Sequence, residues 1–311
     1  MSVAQKTCEE RRSSIAQLMG EDMASYVRNK ATGGSNGKKG TRYEDFFAAF
    51  ILAQILADKS KEEVFSGWPD IHDQVFAFVD DLVVITTDAT KYHQLKNVQN
   101  LTWLGGKHPI ADDFELQMQL SRHEGELQPS TTLVTAHSDV AHSMSATIPQ
   151  VIAAHSDVVY FPYADGHLNR LVMEYEPLRT ALATLTRTAD DKPPADELGY
   201  VFGALIISFL HRGDACSSQV LLDCAQKQSP ALIRLLPHQI KDIQLDAEFV
   251  KVLAQIPNLK YVTETGFFCW SCFTDSGVLP YNCLDTQFRG FQTRVVKSNP
   301  TTFDEFEVHL L

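Results

Sequence analysis

Two aspartates, Asp80 and Asp81, open the apolar run Leu82 to Ile85. A second run, Tyr92 to Asn97, carries Gln94 and Lys96 one residue apart. Side chains alternate across a strand, so Tyr92, Gln94 and Lys96 share one face while His93, Leu95 and Asn97 share the other. Asp81 falls on the same face of its strand as Val83 and Ile85. Paired side by side, two such strands bring Asp81, Gln94 and Lys96 to one point. A hard divalent cation takes oxygen ligands, often one or two carboxylates with waters and a substrate phosphate. Asp81 offers a carboxylate, Gln94 an amide oxygen and Leu95 a backbone carbonyl. Lys96 is placed to orient or deprotonate a water, or to stabilise charge building on a phosphate. These residue types suit metal-assisted hydrolysis of a phosphodiester, with Mg2+ or Mn2+ as the ion. Either aspartate, Asp80 or Asp81, could be the ligand, with the other in a supporting place.

Glu44 is the expected fourth member. Tyr43 to Asp58 is apolar around most of its helical surface, the pattern of a buried helix. Thr41 is the expected N-cap, with Glu44 three residues later as in a capping box. Glu44 shares a stripe with Ala48, Ile51 and Ile55. If that stripe packs on the sheet, the carboxylate lies at its rim beside the metal. One carboxylate rarely caps a helix and binds a metal equally well, so the two roles compete.

The elements that must position these groups follow from periodicity and turn signals. A helix is expected over Cys8 to Asn29, ending in the glycine-rich, locally basic and flexible run 31–40. After the helix that carries Glu44, strands are expected at Gln74–Val79, Asp81–Thr86 and Tyr92–Val98. A helix over Ile110–Glu124, a strand over Thr131–Ala136, a helix over Asp139–Ala146 and a strand over Val158–Pro162 complete a small mixed α/β core. Beyond it come a helix over Leu168–Thr186 and the linker Ala-Asp-Asp-Lys-Pro-Pro at 189–194. Further helices are expected near Ala195–His211, Ser217–Lys227 and Asp246–Gln255. The end, Tyr261 to Leu311, is rich in aromatics and turns and has room for strands.

The chain has 311 residues, 44% hydrophobic and 21% charged, enough for one or two domains with a substantial core. Its formal net charge of −12 weakens any role that depends on the chain alone gripping a polyanion, because Lys and Arg drive binding to phosphate. The first residues lack the apolar core of a signal peptide, and Leu198 to Leu210 is too short to span a bilayer. The cytoplasm is therefore the expected compartment, with no membrane association. Cys269, Cys272 and Cys283 have partial zinc-site spacing, but their apolar surroundings favour buried thiols. His137, His142, His155 and His167 show no paired ligand spacing, and there is no phosphate-binding loop of the Walker type.

Lys-Gly-Thr-Arg-Tyr-Glu-Asp-Phe-Phe-Ala-Ala-Phe-Ile-Leu-Ala, then Asp-Asp-Leu-Val-Val and Tyr-His-Gln-Leu-Lys-Asn, resembles the PD-(D/E)XK endonuclease domain of bacterial defence effectors of the CBASS and Lamassu types. Gly40, Tyr43, Glu44, Asp80, Asp81, Gln94 and Lys96 match that family's motifs in order. The resemblance covers about residues 38 to 165, and up to 190. It implies an α/β fold with a restriction-endonuclease-like mixed sheet core flanked by helices; the C-terminal region beyond it reads from its own periodicity as mainly helical. The expected domains are an N-terminal helix and basic linker (1–40), a nuclease-like domain (41–190) and a partner-binding or oligomerisation domain (191–311). The resemblance further implies a Mg2+- or Mn2+-dependent endonuclease acting on double-stranded DNA in anti-phage or anti-plasmid defence. Its expected companions are an SMC-like ATPase and an accessory subunit, with homo-oligomerisation on activation. The alternative is a nuclease-fold scaffold or DNA-sensing subunit that cuts weakly or not at all.

Overall fold

The computed structural model describes residues 7–36, 41–62, 67–163, 167–187, 193–211 and 217–310. Gly40, Lys38, Lys39, Cys216 and residues 189–192 of the expected linker lie outside them. The chain forms two compact units. The first comprises the described residues within Met1–Leu52, Ser66–Glu176 and Phe209–Leu221; the second those within Ala53–Phe65, Pro177–Ser208 and Leu222–Leu311.

The first unit opens with α1 (Cys8–Met19) and α2 (Glu21–Asn36). A capping box starts α1: Thr7 Oγ1 accepts from the Glu10 N–H, and the Glu10 carboxylate accepts from the Thr7 N–H at 2.7 Å. The single helix expected over Cys8–Asn29 is divided at Gly20, whose φ of +92° belongs to a region that side chains disfavour. The run expected to be flexible is helical as far as Asn36. Propagation adds one hydrogen bond per residue to an existing helix, which offsets the poor propensity of Gly33 and Gly34.

Next comes α3 (Thr41–Lys59), which already includes Thr41, so this residue is not the expected N-cap. Ile51 and Ile55 are only half-buried, so the stripe running from Glu44 is not the packing face. Phe47 and Phe50 form that face instead: Phe47 lies against His93 and Phe161, and Phe50 stacks on Phe161 at 5.2 Å. The Tyr43 hydroxyl donates to the Phe161 carbonyl at 2.9 Å, fixing the start of the helix on the sheet.

The sheet holds β1 (Asp70–Asp73), β2 (Leu82–Ile85), β3 (Thr90–Lys96), then α4 (Ile110–Glu124), β4 (Pro129–Thr135), α5 (Ser138–Ala146) and β5 (Ser156–Tyr160). Strand order follows the sequence; β1, β2 and β3 are antiparallel, while β3, β4 and β5 are parallel. This is the expected mixed α/β architecture, with helices flanking the sheet. The strand expected at Gln74–Val79 is absent: the pairing strand is β1, just before it. Residues 74–79 form an irregular turn held by Gln74 and Val75 N–H bonds to the Asp81 and Asp80 carbonyls. The apolar residues in it pack without pairing: Ala77 and Val79 enter the core, and Phe78 packs with Ile15, Ala24, Val27 and Leu120 under the α1–α2 hairpin. On one sheet face Val83, Ile85, Tyr92 and Leu133 pack with Phe114 of α4 and Met144 of α5. Then α6 (Leu168–Glu174) and α7 (Glu176–Ala183) replace the single helix expected over 168–186. They part at Tyr175, two residues before Pro177, which has no N–H to continue the helix and is tolerated only in the first turn of a new one.

The second unit takes in most of α7, α8 (Ala195–His211) and α9 (Ser218–Gln228), then α10 (Pro237–Ile240) and α11 (Ala247–Gln255). An antiparallel sheet of β6 (Leu259–Val262), β7 (Phe267–Cys272) and β8 (Asp275–Asn282) follows, then α12 (Thr286–Ser298) and α13 (Phe303–Glu307). Phe249 on α11 lies at the centre of its aromatic core, against Phe268, Phe288 and Phe291. Among the described residues no helix is long and apolar enough to cross a membrane.

Candidate functional site

Asp81 immediately precedes β2, where the antiparallel register with β3 sets Val83 opposite Tyr92 and brings Asp81 to Gln94. One oxygen of its carboxylate, Oδ2, accepts two hydrogen bonds, from Gln94 Nε2 and from the Leu95 N–H at 2.6 Å. Asp81 and Gln94 are both buried. The Gln94 amide oxygen accepts from Lys30 Nζ at 2.9 Å. These partners fix the polarity of the amide: an ammonium only donates, so the oxygen faces Lys30, and a carboxylate only accepts, so the NH2 group faces Asp81.

Lys30, on α2, is surrounded by oxygens. Its Nζ donates to Asp113 Oδ2 at 3.0 Å, to Gln94 and to the Phe78 carbonyl, and lies 3.3 Å from Asp80 Oδ1. Burial opposes its charge, but Asp80 and Asp113 outweigh that and hold the ammonium firmly protonated. Asp113, in the first turn of α4, also accepts from the Tyr26 hydroxyl at 3.0 Å, and Tyr26 stacks on His108 with ring centroids 3.7 Å apart. Sequence reasoning missed Lys30, Asp113 and Tyr26. Tyr26 and Lys30 lie one helical turn apart, but their contacts with Asp113 span 87 and 83 residues of sequence. Local periodicity carries no such signal.

The remaining expected residues lie nearby in different settings. Glu44 is half-buried and accepts from Gln74 Nε2 at 3.0 Å. Burial, then repulsion from Asp81, pushes its carboxyl up to about 7. Asp80 is pushed up to about 6 by burial; Lys30 pulls it down and Asp81 pushes it further up. Lys96 is half-buried; its side chain makes no hydrogen bond or ion pair among the described residues, but its charge, after that of Lys30, helps pull Asp80 down. The groups of Gln94 and Leu95 that face Asp81 are the amide NH2 and the backbone N–H, not the oxygens expected to meet a metal.

Among the described residues no three His, Cys, Asp or Glu side chains converge closely enough to hold a metal ion. The chemistry of the donors nevertheless fits a hard divalent cation. Asp80 Oδ1 is buried with the Lys30 ammonium, 3.3 Å away and shared with Asp113, as its counter-ion, and the carboxyls of Asp80 and Glu44 are both raised. The site carries more carboxylate than its hydrogen-bond donors satisfy, a state that a dication relieves. In the second unit Cys272 and Cys283 are buried free thiols and Cys269 is half-buried; burial pushes Cys283 up to about 12. Comparison of the chain with protein-family models, curated proteins and solved structures returned no match.

Proposed function

We propose that this chain is a metal-dependent endodeoxyribonuclease, the effector subunit of a bacterial anti-phage or anti-plasmid defence complex. The observation that carries the reading is the junction of Asp81 with Gln94 and Leu95 across β2 and β3, with Lys96 on the same strand face as Gln94. In this reading Asp81, Glu44, the Gln94 amide oxygen and the Leu95 carbonyl hold Mg2+ or Mn2+. Once bound, the ion supplies Lewis-acid stabilisation of phosphate charge and lowers the pKa of a coordinated water. The Lys96 ammonium, whose charge reaches Asp80 without a direct ion pair, would orient that water or steady the phosphate. Water attacks the phosphorus in line, and the sugar oxygen opposite it leaves.

The substrate is double-stranded DNA. The net charge of −12 supports delivery of that DNA by a partner or by self-assembly; the partners that the family resemblance implies are an SMC-like ATPase and an accessory subunit, with homo-oligomerisation on activation. A second reading, a nuclease-fold scaffold or DNA sensor that does not cut, draws on the Gln94 oxygen being engaged by Lys30.

The test is cleavage of supercoiled plasmid with Mg2+ or Mn2+ by the chain assembled with the products of its neighbouring genes. Asp81→Ala and Lys96→Ala are expected to abolish cutting. Undiminished cleavage by either variant would overturn the nuclease reading. Absence of cutting together with absence of Mn2+ binding in calorimetry would favour the scaffold.

A further inference from the structure

The oxygens around Lys30 Nζ come from a side-chain amide, two carboxylates and a backbone carbonyl: Gln94, Asp113, Asp80 and Phe78. That is the donor set of a hard-cation site, and an ammonium stands in it. The only described contact of the Gln94 amide oxygen is with this ammonium, and Gln94 meets Asp81 through hydrogens. A dication entering beside Asp81 therefore meets two obstacles. Gln94 presents N–H groups to it, and the positive charge of Lys30 shares its carboxylates. Both disappear when Lys30 leaves: the amide can turn its oxygen toward Asp81, and Asp80 and Asp113 lose their counter-ion.

Lys30 is carried by a docked segment. The hairpin of α1 and α2 packs Ile15, Ala24 and Val27 on Phe78 and Leu120. It is pinned at one end by Arg11, whose Nη2 donates to the Tyr92 hydroxyl at 3.0 Å and pairs with Glu126 at 3.3 Å, and at the other by Tyr26 on Asp113.

We propose that Lys30 is the resident cation of this site, a positioning residue that turns the Gln94 amide away from the metal and excludes a divalent ion while α2 is docked. The proposal rests on the metal-centre reading given above and adds regulation to it: displacement of α2 opens the site.

The experiment is Mn2+ titration of the full chain by calorimetry, for wild type, Lys30→Gln, Lys30→Met and Asp81→Asn, with folding checked by circular dichroism and cooperative melting. The neutral, hydrogen-bonding Lys30→Gln is the variant best suited to retain the fold. It is expected to bind Mn2+ at least tenfold more tightly than wild type, and its melting temperature should rise more on adding Mn2+. Equal or weaker binding by folded Lys30→Gln overturns the proposal. A second measurement needs no Lys30 variant. Because linkage is reciprocal, saturating Mn2+ should speed hydrogen exchange of the α2 amides in wild type but not in Asp81→Asn. Unchanged α2 exchange under Asp81-dependent Mn2+ binding overturns the Lys30 role and leaves the metal centre standing. Failure of every variant to bind Mn2+ removes both.

Discussion

The Gln94 amide donates to Asp81 across the mouth of the β2–β3 pair, tying the strand that enters the site to the strand that crosses it. Its oxygen meanwhile holds Lys30, so a single neutral side chain separates a buried cation from a buried anion. Gln94→Ala removes a partner from both. Hydrogen bonds to charged groups contribute about 1.5–3 kcal/mol each, so urea unfolding should show a loss of about 3–6 kcal/mol. Gln94→Glu should be worse at neutral pH than at pH 5, because a second carboxylate would face Asp81.

Lys96 should behave in the opposite way. It contributes no hydrogen bond or ion pair among the described residues, so Lys96→Met is expected to change stability by no more than about 0.5 kcal/mol. DNA cleavage should nevertheless be lost. A melting curve and a plasmid assay on one preparation check both halves.

Stability should fall with rising pH through the range set by the raised carboxyls. Glu44 lies at about 7 in the fold against an ordinary 4.5, and Asp80 at about 6 against 3.8. Each favours folding fully below its ordinary value, where both states are protonated, and loses that contribution as pH climbs through the folded value. Glu44→Gln has no such loss. Its melting temperature relative to wild type should therefore rise between pH 5 and pH 8, and a flat difference across that range would contradict the assignment.

Arg11 is buried among Tyr92, Glu124 and Glu126. Breaking a buried ion pair by removing one partner costs about 3–5 kcal/mol. Arg11→Met should cost about that much in urea unfolding, with Tyr92 and two carboxylates left behind. In the second unit Phe249→Ala should cost a similar amount, about 3–5 kcal/mol, by opening a cavity among Phe268, Phe288 and Phe291.

Reading the sequence succeeded where local pattern decides structure. The helix at Ile110–Glu124 and that at Ala195–His211 lie at their expected bounds, and the pairing of β2 with β3 brings Asp81, just before β2, to Gln94. It failed where one residue breaks a pattern or where packing mimics one. Gly20 divides a periodic helix; Ala77 and Val79 alternate like a strand yet are buried without pairing. The side of α3 was misjudged because a helix apolar all round has no preferred face until its aromatics meet Phe161. At the candidate site, the approach of Asp81 to Gln94 across adjacent strands was legible. The part brought by α2 and α4 was not, since Lys30 and Asp113 are joined only through the fold.

The division of the chain carries a consequence for how it is inherited. The first unit draws on three stretches of sequence and the second on three others, interleaved with them, and α3 runs from one into the other. No single recombination breakpoint can exchange one unit and leave the other whole.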